Sequence, residues 1–179
     1  MAQFKCFENG VQVNGETVLA IVNGMGVFKT KALEILKNNG IDNPQSGQWY
    51  SQQDWLNAFK EIAEKLGDAT LYQIGTKIPE SAQFPPEIDS IEKALSAIDI
   101  AYHMNHQKGE IGNYQFTLTD SNSGKFVCNN PYPCEFDRGI IYSMSQRFKP
   151  AGSIPSIKHD DSEPCRKKGN DSCTYLVTW

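Results

Sequence analysis

The sequence has no apolar run near the roughly 20 residues that cross a bilayer. Its first ten residues, MAQFKCFENG, hold no hydrophobic stretch of the signal-peptide kind. Basic residues are not in excess: 17 Lys and Arg stand against 21 Asp and Glu, a formal charge of −4. Bulk charge therefore gives no reason to expect nucleic acid or an anionic membrane as partner. These absences predict a soluble, cytoplasmic protein with no membrane span and no nucleic-acid partner. Nucleophile elbows, phosphate-binding loops and paired-histidine zinc helices are missing too. The GMG at Gly24–Gly26 is only a fragment of a dinucleotide fingerprint, and no acidic residue follows at the required distance. Cysteine is scarce: five in 179 residues. An odd count without a secretion signal argues against a disulfide framework, so thiols that cluster point to metal or chemistry.

What is present predicts one domain over residues 1–179, with a mainly helical half at 1–108 and a sheet half at 109–179. VQVNGETVLAIV alternates apolar and polar residues about Asn14-Gly15, which predicts a hairpin. Four helices follow. MGVFKTKALEILKNNG spaces Phe28, Leu33, Ile35 and Leu36 on one face and stops at Gly40. SQQDWLNAFKEIAEKLG opens on a Ser51/Asp54 cap and carries a Trp55, Phe59, Ile62, Leu66 stripe. A short helix covers ATLYQIGTKI and ends before QFPPE, because proline cannot continue it. SIEKALSAIDIAYHMNHQ aligns Ile91, Leu95, Ile98 and Tyr102. Beyond Gly109 the period drops to two. NYQFTLTD, GKFVCNN, SIPSIKH and SCTYLVTW predict strands, with a helix over CEFDRGIIYSMSQRF. The expected fold class is α+β: a helical layer packed on an antiparallel sheet in β-β-α-β-β order.

Cys134, Cys165 and Cys173 fall at element edges of the back half, while Cys6 and Cys128 lie outside that motif. Three thiols near one another are candidate metal ligands, and Glu163, Asp161 or His159 can supply a fourth. The helix that begins at Cys134 favours a thiolate there through its dipole.

NPYPCEFDRGI and, about thirty residues on, HDDSEPCRKKGNDSCTYLVTW together resemble the C-terminal half of 4-vinyl reductase-type domains. That family is similar to the aromatic-sensing domains of bacterial activators. Its superfamily includes haem nitric-oxide-binding domains and Golgi transport tethering subunits. The resemblance implies a zinc site on Cys134, Cys165 and Cys173 beside a ligand cavity. The family's carboxylate position is Ser162 here, so Glu163 is taken as the fourth ligand. Haem is not expected: the propionate motif Tyr-x-Ser-x-Arg is missed by one residue in YSMSQR (Tyr142, Ser145, Arg147), and the His103/His106 pair reads as an ordinary helix end.

The functional expectation is a zinc-containing binding or sensor domain for a small hydrophobic or aromatic ligand, acting as a homodimer. Trp55, Phe59, Tyr102, Phe116, Tyr132 and Tyr142 are the candidate ligand-contacting residues, since aromatic side chains line such pockets. The alternatives are a metal-dependent reductase or hydrolase on the same fold, a haem-binding gas sensor, and an assembly module.

Overall fold

The structure is a computed structural model and describes residues 3–179. Strand β1 (Gln12–Asn14) runs directly into helix α1 (Gly15–Gly24). No hairpin forms at Asn14-Gly15. Asn14 caps the helix instead, its side-chain oxygen accepting the Thr17 N–H at 2.9 Å. Asparagine serves turns and N-caps equally well, and the following residues decide. Val18, Ile21 and Val22 are buried together on one helical face, which alternation cannot achieve. Gly15 is forced by packing, because a Cβ there would lie 1.9 Å from the Gln45 carbonyl oxygen.

A 3-10 turn at Gly26–Phe28 leads into α2 (Lys29–Asn38). Ile35 and Leu36 are buried as expected, but Phe28 sits on the turn and is exposed. After β2 (Trp49–Ser51), helix α3 (Gln52–Leu66) starts at its Ser51 cap, which accepts the Asp54 N–H at 3.2 Å. Of the expected stripe, Trp55, Phe59 and Ile62 are wholly buried and Leu66, in the last turn, is exposed. Helix α4 (Asp68–Ser81) is longer than expected and carries Pro79 in its last turn. Helix α5 (Ile91–Met104) follows the prolines and buries Ile91, Leu95, Ile98 and Tyr102.

β3 (His106–Gln107) pairs with β1, giving a small antiparallel sheet of order β2-β1-β3 that the sequence pattern did not announce. The main sheet holds β4 (Asn113–Asp120), β5 (Ser123–Asn129), β6 (Ser156–His159) and β7 (Cys173–Thr178) in the order β4-β5-β7-β6, all antiparallel. Helix α6 (Cys134–Phe148) connects β5 to β6. Gly124, Phe126 and Cys128 of β5 and Cys173, Tyr175 and Val177 of β7 alternate into one buried face. The buried side chains of both halves join in one core. Among the described residues, no helix is long and apolar enough to cross a membrane.

The closest helix packing is between α4 and α6. Gly75 and Gly139 meet there: a Cβ on Gly75 would stand 2.1 Å from the Phe136 carbonyl oxygen, and one on Gly139 would stand 2.3 Å from that of Tyr72. Both obstacles are backbone and cannot rotate away. At an open helical site Gly→Ala stabilises by up to ~1 kcal/mol. Here Gly75→Ala should lower stability by about 1–3 kcal/mol, the usual cost of overpacking. Urea unfolding checks this, and an unchanged or raised midpoint would show that α4 and α6 are farther apart than described.

Candidate functional site

Two clusters carry chemistry, and a buried arginine joins them. The first is an aromatic cavity between α3, α5, α6 and β4. Its volume is about 30 Å³, and Trp55, Tyr102, His106, Tyr114, Tyr132 and Phe136 form much of its wall. The helical phase of α3 brings Trp55 onto Tyr132 at 5.2 Å between ring centroids and onto Phe59 at 4.8 Å. Phe59 in turn meets Phe136 of α6 at 4.7 Å. These are tilted and edge-to-face contacts, the arrangements aromatic quadrupoles prefer.

His106 is the polar centre of this cluster. Its Nδ1 lies 2.8 Å from the Tyr102 carbonyl oxygen, and its Nε2 lies 2.6 Å from the Tyr132 hydroxyl. A carbonyl can only accept, so Nδ1 carries the proton and Nε2 accepts from Tyr132. Gln52 Nε2 completes the chain by donating to the same hydroxyl at 3.0 Å. Burial depresses the imidazole to a pKa of about 4, so it is neutral at pH 7. Trp55 Nε1 and Gln52 Oε1 are buried and have no hydrogen-bond partner among the described residues.

The second cluster is a thiol corner. Cys134 opens α6, Cys165 precedes the 3-10 turn Arg166–Lys168, Cys173 opens β7 and His159 ends β6. The β6–β7 pairing and the return of the preceding loop gather them, and their ligand atoms all lie within 4.8 Å of one another. The sulfur separations are 3.0 Å (Cys134–Cys173), 3.7 Å (Cys134–Cys165) and 3.8 Å (Cys165–Cys173). A tetrahedral centre with metal–sulfur bonds of about 2.3 Å places sulfurs about 3.8 Å apart. Two edges already match. The short third edge is a sulfur–sulfur hydrogen bond, and the two Arg166 donors on Cys173 favour negative charge on that sulfur. The shared hydrogen bond lowers the Cys173 pKa and raises that of Cys134, and Arg166 lowers Cys173 further. His159 Nδ1 is held by Asp161 at 2.9 Å, while its buried Nε2 has no partner among the described residues. An imidazole oriented by a carboxylate with its other nitrogen free is prepared as a ligand.

Arg166 lies between the clusters, with Asp137 as its buried ion-pair partner. Its backbone N–H and Nε each approach Cys173 Sγ at 3.4 Å. One terminal nitrogen donates to the carbonyl and side-chain oxygens of Asn130, the other to Asp137. Tyr114 also donates to Asp137, at 2.6 Å.

The expected site residues divide among these places. Cys134, Cys165 and Cys173 converge. Glu163 does not join them: its carboxylate meets Lys125 Nζ at 2.7 Å, and His159 stands in the cluster instead. Trp55, Tyr102 and Tyr132 line the cavity, with Phe59 packed behind Trp55. Phe116 lies on β4 against Phe126, and Tyr142 lies on the outer side of α6 against Tyr72. Tyr142, Ser145 and Arg147 form no common site: Ser145 bonds the Ile141 carbonyl, and Arg147 reaches Pro79. Tyr114, Phe136 and the His106 role were not singled out from the sequence. The strand period at Tyr114 was the available signal.

No protein-family model matches the chain, and no curated protein matches it in sequence. The solved structures that match share its fold. An H-NOX protein from S. oneidensis in the Fe(II) ligation state, carrying three alanine substitutions, superposes with a TM-score of 0.64 at 14% identity, covering 91% of this chain and 94% of that one. The Fe(II)NO state of an H-NOX protein from S. oneidensis gives 0.62 at 13% identity, over 90% and 97%. A structure from work on haem distortion in the H-NOX family gives 0.64 at 14%, over 93% and 94%. The chain therefore has the H-NOX fold. This corrects the expected cofactor, zinc rather than haem, because the neighbours are described by haem and by Fe(II) ligation.

The buried imidazole makes stability depend on pH. Unfolded, His106 takes its proton near 6.5; folded, only near about 4. Between these values the unfolded chain binds more protons, so stability falls as pH drops. The full difference is about 3 kcal/mol. Urea midpoints followed from about pH 7 to pH 4 should show wild type losing about that much more than His106→Gln. Parallel curves would mean that His106 is solvated.

Proposed function

We propose that the chain is a sensor-type small-ligand-binding domain of the H-NOX fold, with haem as the ligand class and His106 as the side chain that takes its iron. The observation that carries this is the preparation of His106. It is buried and neutral, its Nδ1 is tied to a backbone carbonyl, and its Nε2 lone pair faces the cavity wall behind one hydroxyl. That is how proteins hold a metal-binding imidazole. Haem would supply an iron that binds a diatomic gas.

The donor chemistry fits haem; the space is closed. A cavity of about 30 Å³ is far below the roughly 300–1,000 Å³ of ligand pockets. No lysine or arginine among the described residues lines it to meet a carboxylate. Uptake thus requires Tyr132 to leave Nε2 and the aromatic rings to part. Tyr132→Phe removes the hydroxyl that competes for Nε2, a hydrogen bond of about 1 kcal/mol. Titration with haem followed by visible absorbance should show uptake by wild type, roughly 5-fold tighter uptake by Tyr132→Phe, and loss in His106→Gly that added imidazole restores. No uptake by either wild type or Tyr132→Phe overturns the reading.

We also propose Cys134, Cys165, Cys173 and His159 as a structural metal corner. The matched sulfur edges and the unpartnered His159 Nε2 support it. Four protein donors leave no open position for a reacting water, which speaks against a catalytic role. Metal-binding free energy at such a corner is folding free energy. Cys173→Ser should then cost ~3 kcal/mol or more and Cys6→Ser little, with a strong chelator acting on wild type in the same direction. Thermal melts and elemental analysis check this; equal small effects and no chelator response would leave four ordinary residues.

A further inference from the structure

We propose that Arg166 is a positioning residue that makes closure of the aromatic cavity depend on what occupies the thiol corner. The inference rests on reading that cavity as the ligand site. Its basis is one shared atom. Asn130 Oδ1 accepts from Arg166 and also from the Tyr132 N–H, the latter at 2.9 Å. Tyr132 stands between Pro131 and Pro133, which have no N–H of their own. Its amide is therefore the only backbone donor of residues 131–133, and Asn130 is that amide's anchor. The same tyrosine closes the cavity, its hydroxyl 2.6 Å from His106 Nε2.

At its other end the guanidinium depends on Cys173. Nε is aimed at the Sγ at 3.4 Å, and the backbone N–H of Arg166 meets the same sulfur. A thiophilic cation in the corner draws the sulfur lone pairs to itself and weakens both contacts. Arg166 keeps its buried ion pair with Asp137 and re-seats toward it. Asn130 then loses the Arg166 donor on its side-chain oxygen and is left with the long 3.4 Å bond from its Nδ2 to Asp137, and the Tyr132 anchor loosens. An empty corner holds Tyr132 on His106, and a filled corner releases it. Side chains joined by discrete hydrogen bonds can carry such coupling between two sites.

Cadmium(II) is a suitable thiophilic probe, because thiolate-to-metal absorbance in the ultraviolet reports its binding independently. The readout at the cavity is the ¹⁵N resonance of His106 Nε2, which depends on the hydrogen bond from Tyr132. No haem is present. In wild type, cadmium should bind and shift Nε2 toward its unbonded position. In Arg166→Lys the cadmium absorbance should persist, because the ligands are intact, and the Nε2 shift should be lost. Asn130→Ala cuts the same link one residue further along and should give the same result if Arg166→Lys does not fold. Cadmium binding without an Nε2 shift in wild type overturns the inference, as does an equal shift in the variants or no cadmium uptake. Haem titration is scored separately, so a chain that refuses haem yet shows the Arg166-dependent shift loses the haem reading and keeps this one.

Discussion

The Arg166 guanidinium is a full positive charge in the protein interior, its side chain about 1% exposed. Arginine does not give up its proton, so the charge must be answered by neighbours. Burial lifts the Asp137 pKa, and Arg166 and Tyr114 pull it back toward the charged form. Asn130 and Cys173 take most of the remaining donors. The partners come from different elements: Asp137 from α6, Asn130 from the β5–α6 loop, Cys173 from β7, with Tyr114 of β4 behind Asp137. One planar fork therefore fixes the head of α6 relative to three strands. A lysine presents a point charge and three donors and cannot span the same set.

The Gly75–Gly139 crossing supplies the second constraint on α6. Without side chains at the contact, α4 backbone touches α6 backbone, and the helix lies deep against the N-terminal half. That depth brings Phe136 within 4.7 Å of Phe59 and 5.9 Å of Trp55. The aromatic cluster is thus a product of two glycines as much as of its rings. Residual space in the cavity is small because the helices approach until backbone stops them.

Much of this was legible in the chain. The Trp55–Phe59–Ile62 stripe, the Ser51 cap and the period change after Gly109 follow from spacing and local chemistry, and the set of three cysteines from the family resemblance. The Asn14-Gly15 hairpin failed because the same dipeptide begins a helix, and only the packing of Val18, Ile21 and Val22 selects that outcome. The β2-β1-β3 sheet was invisible because its strands are two or three residues long and distant in sequence. His159 and Glu163 could not be separated by number alone: an antiparallel partner strand carries His159 to the corner, while Lys125 on β5 draws Glu163 away. No local pattern pairs Arg166 with Asp137, 29 residues apart, and only their mutual burial reveals the pair. Buried ionic pairs are rare enough that composition never suggests them.

The closed cavity carries an uncompensated cost that bears on its purpose. Trp55 Nε1 and Gln52 Oε1 are both buried without partners among the described residues. Each such atom costs about 1–3 kcal/mol relative to a satisfied one. A purely structural aromatic core would be better served by phenylalanine or leucine at those positions. Tyr132 and His106, by contrast, are fully paired through Gln52 and Tyr102. The wall therefore combines a satisfied latch, Tyr132 on His106, with Trp55, whose indole donor has no partner among the described residues. A guest that forces the latch breaks the Tyr132–His106 hydrogen bond and must also part the packed rings of Trp55, Phe59, Tyr132 and Phe136. Only apolar surface that the guest itself buries, at about 25 cal/mol per Å², can offset that cost, so a small polar guest cannot open the site and a large apolar one can.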